Sequence, residues 1–442
     1  MRYPGLDPAN SEDAALLNRC QMGILNGHGR RWSAQCLVGL DNTSIGGLRA
    51  FFDAIPYGTA LDQYNAGRDH VNRVGGERLF CSVSLSATGL AKCGLPPTAL
   101  PADISFRRGM KWASQKLLGD RAVKDWDPPF QQDVDILIVF ASDDIDQVNH
   151  AVQQAADALM RAGEGSYITT IPGQNIKQGD QRGKEHFGFV DGVSQPLFFR
   201  ADIDQYITAN PVIVHDPSFD PRDIVLSTFP RGSHDFGSYL VFRQIEQNVV
   251  SFSQRVGTIA RRLGADEEYV AAQVIGRYRD GSPLANSGIS GSGPENNYNY
   301  SDDAFGVKCP YHGHVRKMNN RSNSGDDSFR VIARRGIPYE IEKDGSTHRG
   351  LIFMCYQNDI GRQFEFLQTK WANEVDFPLN TLAGIDPVIG QSKQSPTPQK
   401  WIGDWGTGTR GLQYYFSETT VLRGGEYFFT PPPAYLDQLR RG

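Results

Sequence analysis

Two short segments of this 442-residue chain gather residue types able to do chemistry. The first is GFVDG at 188–192, inside EHFGFVDGVSQP. Glycines on both sides of one carboxylate describe a tight turn that presents Asp191 at close approach to a partner group. An ordinary Asp-Gly turn has the same composition. The second is CPYHGHVRKMNNR at 309–321, with His312 and His314 two residues apart and Arg316, Lys317 and Arg321 behind them. No third or fourth ligand stands nearby at zinc-type spacing, so a metal pair is disfavoured. A haem suits the segment better, one imidazole binding iron while clustered cations meet the propionates. A solvated basic loop reads equally well from these residues alone.

The elements that must position these segments have readable periods. Residues 35–40 read as a strand, and Thr43-Ser44 cap a helix to about residue 55 with Ile45, Leu48, Phe51 and Phe52 on its apolar side. Residues 79–85 (LFCSVSL) alternate as a strand, and 135–141 (DILIVFA) form the continuous apolar run of a buried one. An amphipathic helix starts at Asp143, and 167–171 (YITTI) end at Pro172. Strand, helix, strand, then strand, helix, strand is the split βαβ, ferredoxin-like order. The second half repeats it, with strands at 239–243, 351–357 and 426–430 and helices at 248–263, 266–277 and 360–371. The chain therefore reads as α+β, two ferredoxin-like halves with antiparallel sheets, divided as 1–215 and 216–442. The first carries GFVDG. Between the strands of the second lies a Gly-, Ser- and Asn-rich insertion at 281–327, long enough to predict a functional loop.

Composition narrows the class. With 45 Lys plus Arg against 50 Asp plus Glu, the formal charge is −5, which gives no footprint for nucleic acid and no polybasic patch for lipid. The best apolar run, 136–141, is far short of the roughly 18 to 20 residues of a spanning helix. The six cysteines include no CxxC pair and fit buried thiols in a reducing compartment. Arg30-Arg31 before SAQCLVGL imitate a twin-arginine export signal, but the apolar run is short and meets Asp41, so it reads as a core strand. A cytoplasmic location is expected.

Together the two segments resemble one family, the dye-decolorising (DyP-type) haem peroxidases. GFVDG is similar to their GxxDG signature, and CPYHGHVRK to their proximal-histidine segment, CPxxAHVRKxNPR. Arg334 in RVIARRGIPYE sits like their distal arginine, four residues before the proline. GIDPVIGQ and GGEYFF are similar to further blocks, so the resemblance covers most of the chain in order. The length resembles that of the larger subfamily with fungal and cyanobacterial members. Two departures stand out: His312-Gly313 replaces the small residues before the ligand, and Asn319-Asn320-Arg321 replaces Asn-Pro-Arg.

The resemblance implies haem b between the halves, with His314 as iron ligand and His312 as a loop residue. It implies Asp191 as acid/base and Arg334 as electrostatic stabiliser of peroxide cleavage. A carboxylate stays an ionised base in mildly acidic solution where a histidine is protonated, so an optimum at about pH 3–5 is expected. Asp386, in GIDP, is similar in position to the acidic partner of the ligand histidine. Arg316, Lys317 and Arg321 compete for the propionates. Leu351 and Phe353 share one strand face and, in the family, that face closes the distal pocket to all but peroxide-sized molecules. Dyes are too large for such a pocket, so Trp371 and Tyr339, matching aromatic positions of related members, are expected as surface relays of electrons. Hydrogen peroxide and aromatic reductants are the implied partners, and the oligomeric state stays open, a homo-oligomer included. A haem carrier or sensor on the same fold is the rival reading; it has no need of both Asp191 and Arg334.

Overall fold

Strands form where the sequence alternates or runs apolar. The structure, a computed structural model, describes residues 2–71, 78–176, 183–286, 290–321, 329–378, 382–391, 399–401, 412–416 and 419–441. In the first half β1 (Trp32–Gly39), β2 (Phe80–Leu85), β3 (Ile136–Ser142) and β4 (Tyr167–Gln174) pair antiparallel in the order β4-β1-β3-β2. β3 is buried along its whole length, as a continuous apolar run demands of a central strand. β1 begins directly after Arg30-Arg31, so the export-signal look-alike is the entry to a core strand. Helices Ile45–Asp53 and Ile145–Ala162 make the crossovers and pack on each other. Ser44 Oγ caps the first by accepting from Gly47 N at 3.0 Å, and Asp144 caps the second.

The second half repeats the order. Its strands are β5 (Ser227–Thr228), β6 (Phe236–Gln247), β7 (Ala333–Arg334), β8 (Ile337–Lys343), β9 (Ser346–Gln357), β10 (Gln399–Trp401), β11 (Leu412–Tyr414) and β12 (Thr420–Thr430). β12-β6-β9 run side by side, β7 and β8 both pair with the outer edge of β9, β5 is a short addition to β6, and β10–β11 form a separate ribbon. The β7–β8 pair is absent from the sequence reading: RVIARRGIPYE is too charged to alternate cleanly, and Pro338 fits because β8 is an edge. Helices Val249–Leu263 and Glu267–Ile275 are capped by Asn248 and Asp266, and Gly276 ends the second at φ +96°. The helix expected at 360–371 is instead two wide π-helical stretches, Gly361–Glu365 and Leu367–Ala372. Of the insertion at 281–327, residues 287–289 and 322–327 lie outside the described residues; the rest is loop with two single-turn helices, Ser301–Asp303 and His314–Met318.

The halves join edge to edge where Phe429 of β12 meets Leu85 of β2, giving one ten-stranded sheet. Its outer strands also approach: a Cβ on Gly173 of β4 would stand 3.0 Å from Ile337 of β8, so the sheet curls until its two edges touch. Among the described residues no helix is long and apolar enough to cross a membrane.

Candidate active site

Asp191 stands at the end of a hairpin that follows β4. Phe187 and Phe189 anchor that hairpin on Phe252 of the helix after β6, the first by stacking at 4.2 Å between ring centres. Gly188 (φ +94°) and Gly192 (φ +75°) both occupy the left-handed region, so the GFVDG spacing is a backbone requirement. Asp191 Oδ1 accepts from Gly192 N at 2.6 Å and from Arg334 Nη1 at 3.3 Å. Arg334, on β7, is held from both ends: its backbone N–H donates to Gln195 Oε1 (3.0 Å) and Nη2 to the Ser194 carbonyl (3.2 Å). Residues 143 apart in sequence thus meet because an edge strand and a hairpin share one wall.

His314 opens its short helix directly after Gly313, where a Cβ would come within 3.2 Å of the Pro310 and Gln273 carbonyls. Its Nδ1 pairs with Asp386 Oδ2 at 2.8 Å. The other oxygen of Asp386 accepts from Val388 N and Ile389 N, at 2.8 and 2.9 Å. Burial pushes the Asp386 carboxyl up, but His314 and these N–H groups outweigh burial and hold it below its ordinary value. A carboxylate on Nδ1–H fixes the tautomer and leaves the Nε2 lone pair available to a metal.

Asp191, Arg334 and His314 line one cavity of about 460 Å³, with Asp386 buried behind His314. Leu351 and Phe353, alternate residues of β9, are on its wall, as are Arg321 and Trp371. All lining residues fall between Glu185 and Thr420; the strands of the first half contribute none, and its share comes from the segment after β4.

The three candidate cations separate. Arg321 lines the cavity with its backbone in the left-handed region (φ +50°). Arg316 does not: its guanidinium is buried between the Tyr300 and Tyr311 rings and ion-paired to Asp303 at 2.9 Å. Lys317 donates to the carbonyls of Trp371 (3.1 Å) and Glu374 (2.6 Å), and burial pushes its ammonium down to about 8. These two are corrections to the expected propionate set, since each charge is already committed to partners distant in sequence. Arg277, which no motif marks, takes a place beside Arg321. Both donate to Ser194 Oγ, at 3.1 and 3.3 Å, and both face the Tyr298 ring. Neither has a carboxylate partner among the described residues, and burial lowers the Arg277 guanidinium. Two buried guanidiniums without counter-ions among the described residues, an imidazole offering Nε2 and walls of Ile245, Leu351, Phe353 and Leu367 fit an apolar macrocycle with acidic side chains.

The aromatic candidates are a second correction. Trp371 is 5% exposed and Tyr339 1% exposed, so neither is a surface residue. Trp371 sits between the cavity and Phe377, stacked on the latter at 4.9 Å. Tyr339 lies over Gly350, where a Cβ would be 2.6 Å from its ring. For Trp371 the polar sequence neighbours misled because a helical turn points successive residues to different sides, inward and outward alike. His312, expected in a loop, is fully buried against the Trp401 ring at 4.5 Å.

Comparison with known proteins agrees with this geometry. The family model "Dyp-type peroxidase, C-terminal" matches residues 185–382, the stretch that builds most of the cavity. The chain is 32% identical to the multifunctional dye peroxidase DyP2 of an Amycolatopsis strain, over 98% of this chain and 97% of that one. It is 31% identical to peroxidase 2 of Mycetinis scorodonius, over 80% and 73%. Among solved structures, the DyP-type peroxidase AnaPX of Anabaena superposes with a TM-score of 0.89 at 32% identity, covering 99% of this chain and 97% of the other. On near-complete coverage at this identity, the chain belongs to the dye-decolorising, DyP-type family of haem peroxidases.

Proposed function

We propose that this haem peroxidase uses haem b, reduces hydrogen peroxide with Asp191 and Arg334, and oxidises dyes, phenols and similar aromatic donors. One observation carries the reading: the Asp191–Arg334 pair and the His314–Asp386 pair line or back the same cavity. Haem, when bound, supplies the redox chemistry, taking oxidising equivalents from peroxide and passing them to an organic donor. The protein's own groups do the rest. Asp191 takes a proton from one peroxide oxygen and returns it to the other, so that the second oxygen leaves as water. Arg334 stabilises the negative charge that develops on the departing oxygen. Asp386 keeps His314 in the tautomer whose Nε2 is free of a proton, and makes the ring a stronger electron donor. Arg321 and Arg277 meet the acidic side chains of the cofactor. Leu351 and Phe353 limit the space beside Asp191 to small oxidants.

The two-half organisation at 1–215 and 216–442 fits this reading, with the Asp191 hairpin reaching from one half into the sheet of the other. A haem carrier needs the His314 side only; the second pair is what favours an enzyme. The test is a peroxide titration of the haem-loaded protein, followed by absorbance, with Asp191→Asn beside the parent. Asp191→Asn is expected to keep the Soret band and to react about 10²–10⁴-fold more slowly. A parent-like rate in that variant, or an optimum above neutrality with haem still bound, overturns the assignment of Asp191.

A further inference from the structure

The hairpin that carries Asp191 is folded around a second carboxylate that the reaction does not use. Glu185 Oε2 accepts from Phe187 N and Oε1 from Phe189 N, each at 2.9 Å. Its backbone closes the same loop: Glu185 N donates to the Phe189 carbonyl at 3.0 Å, and Gly188 N to the Glu185 carbonyl at 2.8 Å. Gln247, the last residue of β6, donates its side-chain amide to Oε2. Burial raises the Glu185 carboxyl, and no Lys, Arg or His pairs with it among the described residues. Glu185 is half-buried on the cavity wall, and among the described residues its carboxylate is satisfied by N–H groups alone. Here it supplies two acceptor oxygens that fix a four-residue turn and tie it to the central strand of the half.

We infer that Glu185 is the positioning residue that sets where Asp191 stands relative to Arg334. Arg279 Nε also donates to the Phe187 carbonyl (3.1 Å) and His186 Nε2 stands 2.9 Å from the Tyr339 carbonyl, so the hairpin is fixed to its surroundings on several sides, while Glu185 shapes the turn itself. Arg334 is fixed by β7, Gln195 and Ser194, whereas Asp191 is held through the hairpin, by its own N–H to the Gly183 carbonyl (3.1 Å) and Val190 N to the Arg279 carbonyl (3.2 Å). Both of those bonds act on the backbone that follows the turn. Among the described residues, the Glu185–Gln247 bond is the one that joins the turn to β6, the strand whose neighbour β9 pairs with β7. Glu185 touches no reacting atom in this scheme; it acts through the register of Asp191.

The inference rests on Asp191 being the acid/base, which Asp191→Asn tests by itself. Glu185→Gln has nearly the same volume but turns one acceptor into an N–H₂ group facing N–H donors. The haem-loaded variant is expected to react with hydrogen peroxide about 10–100-fold more slowly, the scale of a small misplacement of a reacting group. In an Asp191→Asn background the same change is expected to alter the rate by less than about twofold, because the group being positioned is gone. Hydrogen exchange at residues 186–190 should accelerate in Glu185→Gln, with or without haem. Equal fold-losses in the two backgrounds, or a parent-like rate together with unchanged exchange, overturn the inference. Should Glu185→Gln not fold, Gln247→Met removes the tie to β6 and leaves the turn. A loss of about threefold or more that disappears with Asp191→Asn supports the inference, and a parent-like rate refutes it.

Discussion

Replacing Arg334 with leucine separates what the guanidinium does for folding from what it does for chemistry. In the folded chain it makes one contact with Asp191 at 3.3 Å and one with the Ser194 carbonyl at 3.2 Å. The two side chains of the pair are 30% and 28% exposed, so the ion pair contributes only about 0–1 kcal/mol to stability. The backbone bond to Gln195 survives in the variant, which keeps β7 in register, and Gly192 N still satisfies Asp191. Folding and haem loading should therefore be nearly unchanged. The rate should not be. A preorganised donor aimed at developing negative charge is worth about 10²–10³-fold, or about 2.7–4 kcal/mol of barrier. The assay is the second-order rate of reaction with hydrogen peroxide, read at the Soret band at fixed acidic pH, beside a thermal melt. In the proposed mechanism Asp191 and Arg334 serve one transition state, so the double variant with Asp191→Asn should lose less than the product of the single losses. A rate for Arg334→Leu within about threefold of the parent would refute the role of the guanidinium. A melt lowered by many degrees would refute the folding half of the argument.

Other perturbations follow from the same contacts. His314→Ala should lose haem or bind it with an altered spectrum, while His312→Ala should keep the spectrum but melt lower, about 2–4 kcal/mol being lost beneath Trp401; exchanged outcomes would mean that the ligand is misassigned. Glu246 is pulled below its ordinary value of 4.5 because Arg423 and His348, on β12 and β9, outweigh the upward push of burial. A depressed carboxylate contributes stability above its unfolded value and loses it as pH falls through the folded one, so Glu246→Gln should flatten the acid limb of the stability curve below about pH 4.5; an unchanged limb refutes the linkage. Trp371→Phe should leave the peroxide rate intact yet reduce turnover of a bulky anthraquinone dye, because the indole lies on the cavity wall. Tyr339→Phe, whose ring is buried under Gly350, should reduce neither; parent-like dye turnover in the Trp371 variant removes it from the route.

What the sequence determined by itself was whatever depends on neighbours along the chain. The apolar run at 136–141 read as a buried strand and is one, and Ser44, Asn248 and Asp266 cap helices through N–H groups two or three residues away. The glycines of GFVDG were legible because a left-handed turn admits few other residues. His314, Asp191, Arg334 and Asp386 were singled out by resemblance, and the fold brings His314 to Asp386 and Asp191 to Arg334. Tertiary structure alone decided how the remaining charges and rings are spent. Arg316 and Lys317 look like Arg321 in the sequence, yet Asp303 and the carbonyls of Trp371 and Glu374 claim them. Arg277 joins Arg321, and Glu185 braces the Asp191 hairpin, through Ser194 and Gln247, neither of which a local pattern can connect to them. Trp371 is buried although Lys370, Asn373 and Glu374 stand near it in sequence, Tyr339 is buried on an edge strand, and β7 and β8 pair with β9 although their sequence is charged. Periodicity reports which face of an element is apolar; only long-range pairing fixes which charge meets which, because a salt bridge carries no signature until both ends are folded into contact.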